Sequence, residues 1–220
     1  MEIKSKPLGQ ETKNIYFFEN QFFEISETKF WKKLDFGNFD AISKINNVYI
    51  DNPDFTIIPI EIWGHISENQ KKEVFNNPQS TNYVESEKPH INSYIYWAIS
   101  KELQKKILSK IPNVNLKHFA ESVSFFKENK NQIKIFVGES IIYISSYVKN
   151  KLTLLNRFNV ENTDDILYYF LSVVKESQLT QEPFHLDFMG IENQILLSKI
   201  KEILPQTKIN IFKETDFNNH

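Results

Sequence analysis

Cysteine is absent from this chain of 220 residues, and with it go disulfides, thiolate nucleophiles and cysteine-based zinc or iron–sulfur centres. Glycine is scarce, with five residues at positions 9, 37, 64, 138 and 190, none near another. Phosphate-cradling loops need clustered glycines so that backbone N–H groups can approach the oxygens closely. Neither a Walker loop nor Gly-x-Gly-x-x-Gly is present. An excess of one charge is missing too: 26 Lys and Arg face 28 Asp and Glu, for a formal charge of -2. No net field holds a polyanion, so no nucleic-acid partner is expected. The longest apolar run, ILYYFLSVV at 166–174, is far short of a membrane span, and the opening MEIKSKPLGQETKN has no apolar stretch for a secretion signal. The expected location is the cytoplasm, with no membrane partner.

What is present is a core. The chain is 40% hydrophobic and 14% aromatic, enough for one large domain or two small ones. In the second half, IKIFV (133–137) meets SIIYISSY (140–147) across Gly138-Glu139, which reads as a type II′ hairpin with glycine first in the turn. KLTLLNRF (151–158) makes a third antiparallel strand. Asn162 is placed to cap a helix over 164–176, with Asp165 three residues on. Ile166, Tyr169, Phe170, Val173 and Val174 share one face, widened by Leu167 and Leu171, so this helix is expected to be buried on more than one side. FHLDF (184–188) alternates as a strand. A helix over 192–204 carries Leu196, Ile200, Ile203 and Leu204 until Pro205 stops it, and KINIF (208–212) is a last strand. The order β-β-β-α-β-α-β is the ribonuclease-H-like topology.

The first half begins the same way: IYFF (15–18), the tight turn Glu19-Asn20, then QFFEI (21–25). Residues 29–36 supply a third strand and FTIIP (55–59) a later one. Pro59 suits the first turn of one helix running to Phe75, with Ile62, Trp63 and Ile66 inward. Residues 40–45 and VYID (48–51) find no place in this pattern. Residues 76–90 read as a polar loop containing a short edge strand, YVESE. INSYIYWAI (91–99) is a strand, and Ser100 caps a helix to Lys110 striped by Leu103, Ile107 and Ile111. The expectation is a mixed α/β protein of two ribonuclease-H-like lobes, residues 1–130 and 131–220, with the boundary in KENKNQ (127–132).

A duplicated lobe of this kind is the plan of the actin-like ATPase superfamily. RFNVENTDDILYYFLSVVKESQL followed by FHLDFMGI resembles the signature of the bacterial domain-of-unknown-function family 3822. The matching residues are Phe158, Asp165, Tyr168, Tyr169 and Gly190, with FTIIP at 55–59 and the segment around His118. The resemblance implies an actin-like ATPase fold and no assigned activity. In that fold the first hairpin turn of each lobe presents Asp-x-Gly, the carboxylate serving Mg²⁺ and the amides holding phosphates. Here the first lobe has Phe18-Glu19-Asn20-Gln21, without glycine, and the second has Phe136-Val137-Gly138, with phenylalanine in the carboxylate position. A glycine pair that would pack on adenine is reduced to Met189-Gly190. Neither ATP hydrolysis nor tight nucleotide binding is expected.

Other chemistry fares no better. Asp35-Phe36-Gly37 spells a kinase metal-holding tripeptide, but it follows the first hairpin by about one strand, and no His-Arg-Asp loop accompanies it. A two-metal nuclease needs an acid on its first strand, and IKIFV has none. His185 and Asp187 share one side of FHLDF, either as an acid–base pair in an interlobe cleft or as a hydrogen-bonded polar strand face; with no nucleophile nearby the second weighs more. His118 and Glu121 could share a helical face as a local pair, and no second histidine falls at metal-ligand spacing. His65 and His90 receive no role. Lys101, Lys105, Lys106 and Lys110 read as a solvated stripe. Tyr94, Tyr96, Trp97, Tyr168 and Tyr169 are candidate interface anchors, with core packing the default. The expectation is therefore no catalytic, cofactor or metal residues and a scaffold or interaction module whose partner is another protein. The alternative is a cleft enzyme or small-ligand binder using His185 and Asp187.

Overall fold

A computed structural model describes residues 13–18, 21–24, 32–34, 45–75, 81–88, 91–124 and 131–211. In the N-terminal half, β1 (Lys13–Phe18) and β2 (Gln21–Glu24) pair antiparallel, with Phe17 opposite Phe22. Strand β3 (Lys32–Leu34) follows on β2, and β4 (Ile45–Ile50) runs parallel to β1. VYID, unplaced from sequence, is therefore mostly the lobe's fourth strand, with Val48 and Ile50 fully buried.

The chain then leaves this sheet. Strand β5 (Phe55–Pro59), helices α1 (Ile60–Trp63) and α2 (Glu68–Glu73), β6 (Thr81–Lys88) and β7 (Ser93–Ser100) build a separate three-stranded sheet in the order β5-β7-β6. The single helix expected from Pro59 to Phe75 is thus two. Gly64 closes the first, and Ser67 opens the second through a reciprocal cap, Ser67 N–H to Gln70 Oε1 at 2.9 Å and Gln70 N–H to Ser67 Oγ at 3.3 Å. Ile62, expected inward, is 51% exposed. YVESE is the middle of an eight-residue edge strand rather than part of a loop. Helix α3 (Lys101–Lys110) starts at Ser100, whose Oγ accepts the Leu103 N–H at 3.1 Å, and leads to β8 (Asn115–His118), parallel to β4. The main sheet has the order β3-β2-β1-β4-β8.

One helical turn, α4 (Ala120–Val123), precedes the second lobe. There β9 (Gln132–Val137), β10 (Ile141–Val148) and β11 (Lys151–Asn159) are antiparallel neighbours. Helix α5 (Thr163–Glu176), β12 (His185–Gly190), α6 (Gln194–Ile203) and β13 (Lys208–Ile211) complete it, in the order β11-β10-β9-β12-β13. Both main sheets therefore share one strand order. Asn162 caps α5 as expected, accepting from Asp164 and Asp165 N–H at 2.9 and 3.1 Å. Ile203, expected in the α6 stripe, is 48% exposed. The hairpin turn also differs from the type II′ reading. Gly138 lacks a positive φ and its N–H donates to the Ile141 carbonyl at 2.8 Å, so Glu139-Ser140 form the turn. The expected boundary after residue 130 falls beside residues 125–130, outside the described residues.

Strand alternation gives the C-terminal sheet two buried faces. Ile133, Ile135, Val137, Ile142 and Ile144 pack with Phe170, Val173, Leu196 and Ile200 of the two helices. Phe136, Ile141, Tyr143, Leu155 and Met189 join Phe18, Trp97, Ile107 and Phe119 in the core of the first lobe. One lobe thus serves as the second cover of the other's sheet.

Candidate functional site

The junction between the lobes is built from strand ends. Phe18 closes β1 at the first hairpin, and Phe136, near the end of β9, stands in the position where the second hairpin would carry a carboxylate. Their rings stack on each other, centroids 5.8 Å apart and 19° from parallel. Phe119, just after β8, packs edge-on against both, at 4.7 Å from Phe18 and 4.6 Å from Phe136, and at 5.0 Å from Tyr143. All four residues are buried. Each such pair adds roughly 0.5–1.5 kcal/mol beyond its buried area.

Polar groups ring this aromatic knot. Asp51, directly after β4, accepts from Arg157 of β11 through both oxygens, Nε to Oδ1 at 2.7 Å and Nη2 to Oδ2 at 3.0 Å. Tyr143 of β10 donates its hydroxyl to Asp51 Oδ1 at 2.7 Å. Burial and then Asp51 push the Tyr143 phenol well above its ordinary value. Burial works against the Arg157 charge, but Asp51 outweighs it and holds the guanidinium above its ordinary pKa. Bidentate geometry makes this a strong ion pair between lobes.

His118 sits beside it, fully buried, its ring stacked on Phe55 at 4.4 Å. The Ala120 N–H donates to Nδ1 at 3.1 Å, so Nδ1 is an acceptor and Nε2 carries the proton toward the Asn52 carbonyl at 2.8 Å. Burial lowers its pKa to about 4, with the Asn52 carbonyl opposing. The unfolded chain takes up this proton near pH 6.5 and the fold resists until about 4, so the His118 contribution to stability is constant above 6.5 and falls as pH drops through that window. The loss expected is about 3 kcal/mol. Urea unfolding from pH 8 to 4 should show it, and His118→Gln, which keeps a donor for Asn52, should flatten the difference. Equal slopes for the two proteins would refute the assignment.

His118 ends a strand rather than lying on a helical face with Glu121; Glu121 Oε1 accepts the His118 backbone N–H at 3.3 Å, and its other oxygen pairs with Lys88. Asp187 is buried, its Oδ2 accepting from Gln132 Nε2 and its Oδ1 from Asn210 Nδ2 at 3.0 Å, while His185 is half-buried at the strand start. That is the arrangement of a bonded polar strand face. Trp97 is core, Tyr169 stacks on Phe158 at 4.3 Å, and Tyr168 is 66% exposed. Asp35-Phe36-Gly37, Glu19-Asn20 and His90 lie outside the described residues. Among the described residues no group of three or more His, Asp or Glu is placed to hold a metal ion, and no helix is long and apolar enough to cross a membrane. Sequence reasoning missed Asp51 and Arg157, and the one available signal was an acid at the end of an apolar strand.

Two five-stranded lobes of one strand order, sharing a core between them, have the actin-like ATPase fold. The chain belongs to the family described as Protein of unknown function (DUF3822), which matches residues 9–206. A Bacteroides thetaiotaomicron protein of actin-like ATPase fold and unknown function is similar at 20% identity and a TM-score of 0.70, covering 90% of each chain. A structure of the PilM-PilN type IV pilus biogenesis complex is similar at 6% identity and a TM-score of 0.59, covering 95% of this chain and 94% of that one. A search of curated proteins gave no match.

Proposed function

We propose that this protein is a non-catalytic protein-interaction module whose interlobe cleft is used for packing instead of nucleotide chemistry. The observation that carries the reading is the Phe18–Phe136 stack. Two carboxylates facing a common Mg²⁺ and phosphate would repel each other without those ligands, whereas two phenyl rings close the same gap without any. The Asp51 carboxylate, which reaches the knot through Tyr143, is committed to Arg157 and Tyr143. PilM offers a parallel at the level of fold, since it is seen in complex with PilN. The same reading assigns the protein to the cytoplasm, with no cofactor or metal.

Titration calorimetry with Mg·ATP is expected to give no saturable heat at micromolar concentrations, and phosphate release should stay at the buffer rate. A stoichiometric complex with a partner, rebuilt from purified components, is the expected positive result. Micromolar nucleotide binding, or steady phosphate release abolished by Phe136→Ala, would overturn the reading.

A further inference from the structure

The three-stranded sheet has one face in the core and one turned outward. By alternation Val84, Ile95, Trp97 and Phe55 point inward, while Glu85 and Glu87 of β6 lie beside Tyr96 and Tyr94 of β7 on the outer face. Helices α1 and α2 cover that face only in part. Trp63 stacks on Tyr94 at 4.5 Å and 15° and meets Tyr96 edge-on at 5.5 Å; Phe75 stacks on Tyr83 and Tyr96 at 6.2 and 5.5 Å. Trp63, Tyr94 and Phe75 remain half-exposed, and the apolar side chains of Ile62 and Val74 stand out at 51% and 47%. Glu68, Glu85 and Glu87 rim this surface, all exposed. Such an aromatic ladder costs solvation that a single-lobe core does not require.

The chain itself shows which chemistry the surface accepts. Lys71 is 8% exposed, its Nζ lies 3.8 Å from the Trp63 ring centre, and it reaches Glu68 at 2.9 Å and Glu85 at 4.0 Å. One ammonium is thus already held by an aromatic face and two carboxylates. The Tyr94 row has similar parts with no lysine of its own among the contacts described: an aromatic ring and Glu87, bonded to the Tyr94 hydroxyl at 3.1 Å.

We propose that this acid-rimmed aromatic face is the docking surface of the module, and that it takes a segment of a partner protein bearing lysine or arginine, one cation of which lies beside Tyr94 and Glu87. Charge complementarity selects the partner, since an acidic or phosphorylated segment meets three carboxylates. The inference rests on the reading of the protein as an interaction module and names its surface.

A hexa-arginine peptide and a hexa-glutamate control serve as probes, followed by the indole N–H signal of Trp63 in NMR spectra of the full chain. A saturable shift with hexa-arginine alone is expected. Tyr94→Ala and Glu87→Gln should each weaken it about tenfold, while Glu182→Gln, on the other lobe, should not. Glu87 is exposed, so its variant keeps the test valid if Tyr94→Ala fails to fold. The absence of a saturable shift, or weakening by Glu182→Gln equal to that by Glu87→Gln, would overturn the surface. A purified partner that binds wild type and Glu87→Gln equally would also overturn it while leaving the module reading intact. Peptide binding here combined with ATP hydrolysis would instead support the surface and sink that reading.

Discussion

Asp51→Ala is expected to destabilise the fold by about 3–5 kcal/mol, as breaking one side of a buried ion pair does. The side chains of Arg157 and Asp51 are 12% and 6% exposed, so neither charge can turn to water without opening the junction. Without Asp51, Arg157 keeps the Asn159 carboxamide oxygen, bonded through Nη1 at 2.6 Å, but no anion. Tyr143 loses its acceptor at the same time. The partners come from different lobes, Asp51 after β4 and the other two from β10 and β11, so the cost falls on how the lobes dock. Arg157→Met in the same chain should recover most of the loss, because removing both charges also removes their desolvation. A double-mutant cycle in urea measures the coupling, expected at 2 kcal/mol or more, on the order of what close neighbours in such networks show. A cost below about 1 kcal/mol for Asp51→Ala, the range of exposed pairs, would mean that the pair is solvated and does not pin the lobes.

Local patterns in the sequence were sufficient for the second lobe. Its hairpin strands, the Asn162 cap and the Pro205 stop are local signals, and each lies where the pattern places it, with the hairpin turn one residue later than expected. The first lobe was less legible for a physical reason. Strand β4, INNVYI, carries Asn46 and Asn47 directly after Ile45, with Asn47 bonded to Asn14 of β1 at 3.0 Å, so its apolar alternation is broken until Val48. Strand β6, TNYVESEK, looks like a loop because its outer face is acidic and its inner face holds few apolar residues. The junction was harder still. Arg157 and Asp51 are 106 positions apart, and no spacing rule relates them. Phe18 and Phe136 are informative only when the two hairpins are superposed, which the strand order justifies and the residues alone do not.

Gly190→Ala is the second large effect expected, and it tests how β12 leaves the sheet. Among the described residues Gly190 is the one glycine at positive φ, +91°, and it lies opposite Val137 of β9. A Cβ there would stand 2.2 Å from the Val137 carbonyl oxygen and 2.9 Å from its carbon and nitrogen. Every one of those atoms is backbone, so no rotamer change relieves the clash. Relief requires losing the Ile191 N–H bond to the Val137 carbonyl, now 2.8 Å, and shifting the turn into α6. That turn sets Asn193, which accepts the Leu196 N–H at 2.9 Å and donates to Thr163 Oγ1 at 3.0 Å, so the start of both C-terminal helices moves with it. The preceding residue, Met189, is buried in the interlobe core. Strain and lost contacts together should cost roughly 3–5 kcal/mol. Gly138→Ala is the matched control. Its Cβ would meet the Ile141 Cγ1 at 3.0 Å and the Ile141 carbonyl oxygen at 3.3 Å, at ordinary φ, and a small movement of that turn suffices. It should cost about 1 kcal/mol or less. Thermal unfolding of the two variants side by side should therefore separate them widely. Similar melting temperatures would mean that β12 does not approach β9 as closely as the sheet register requires.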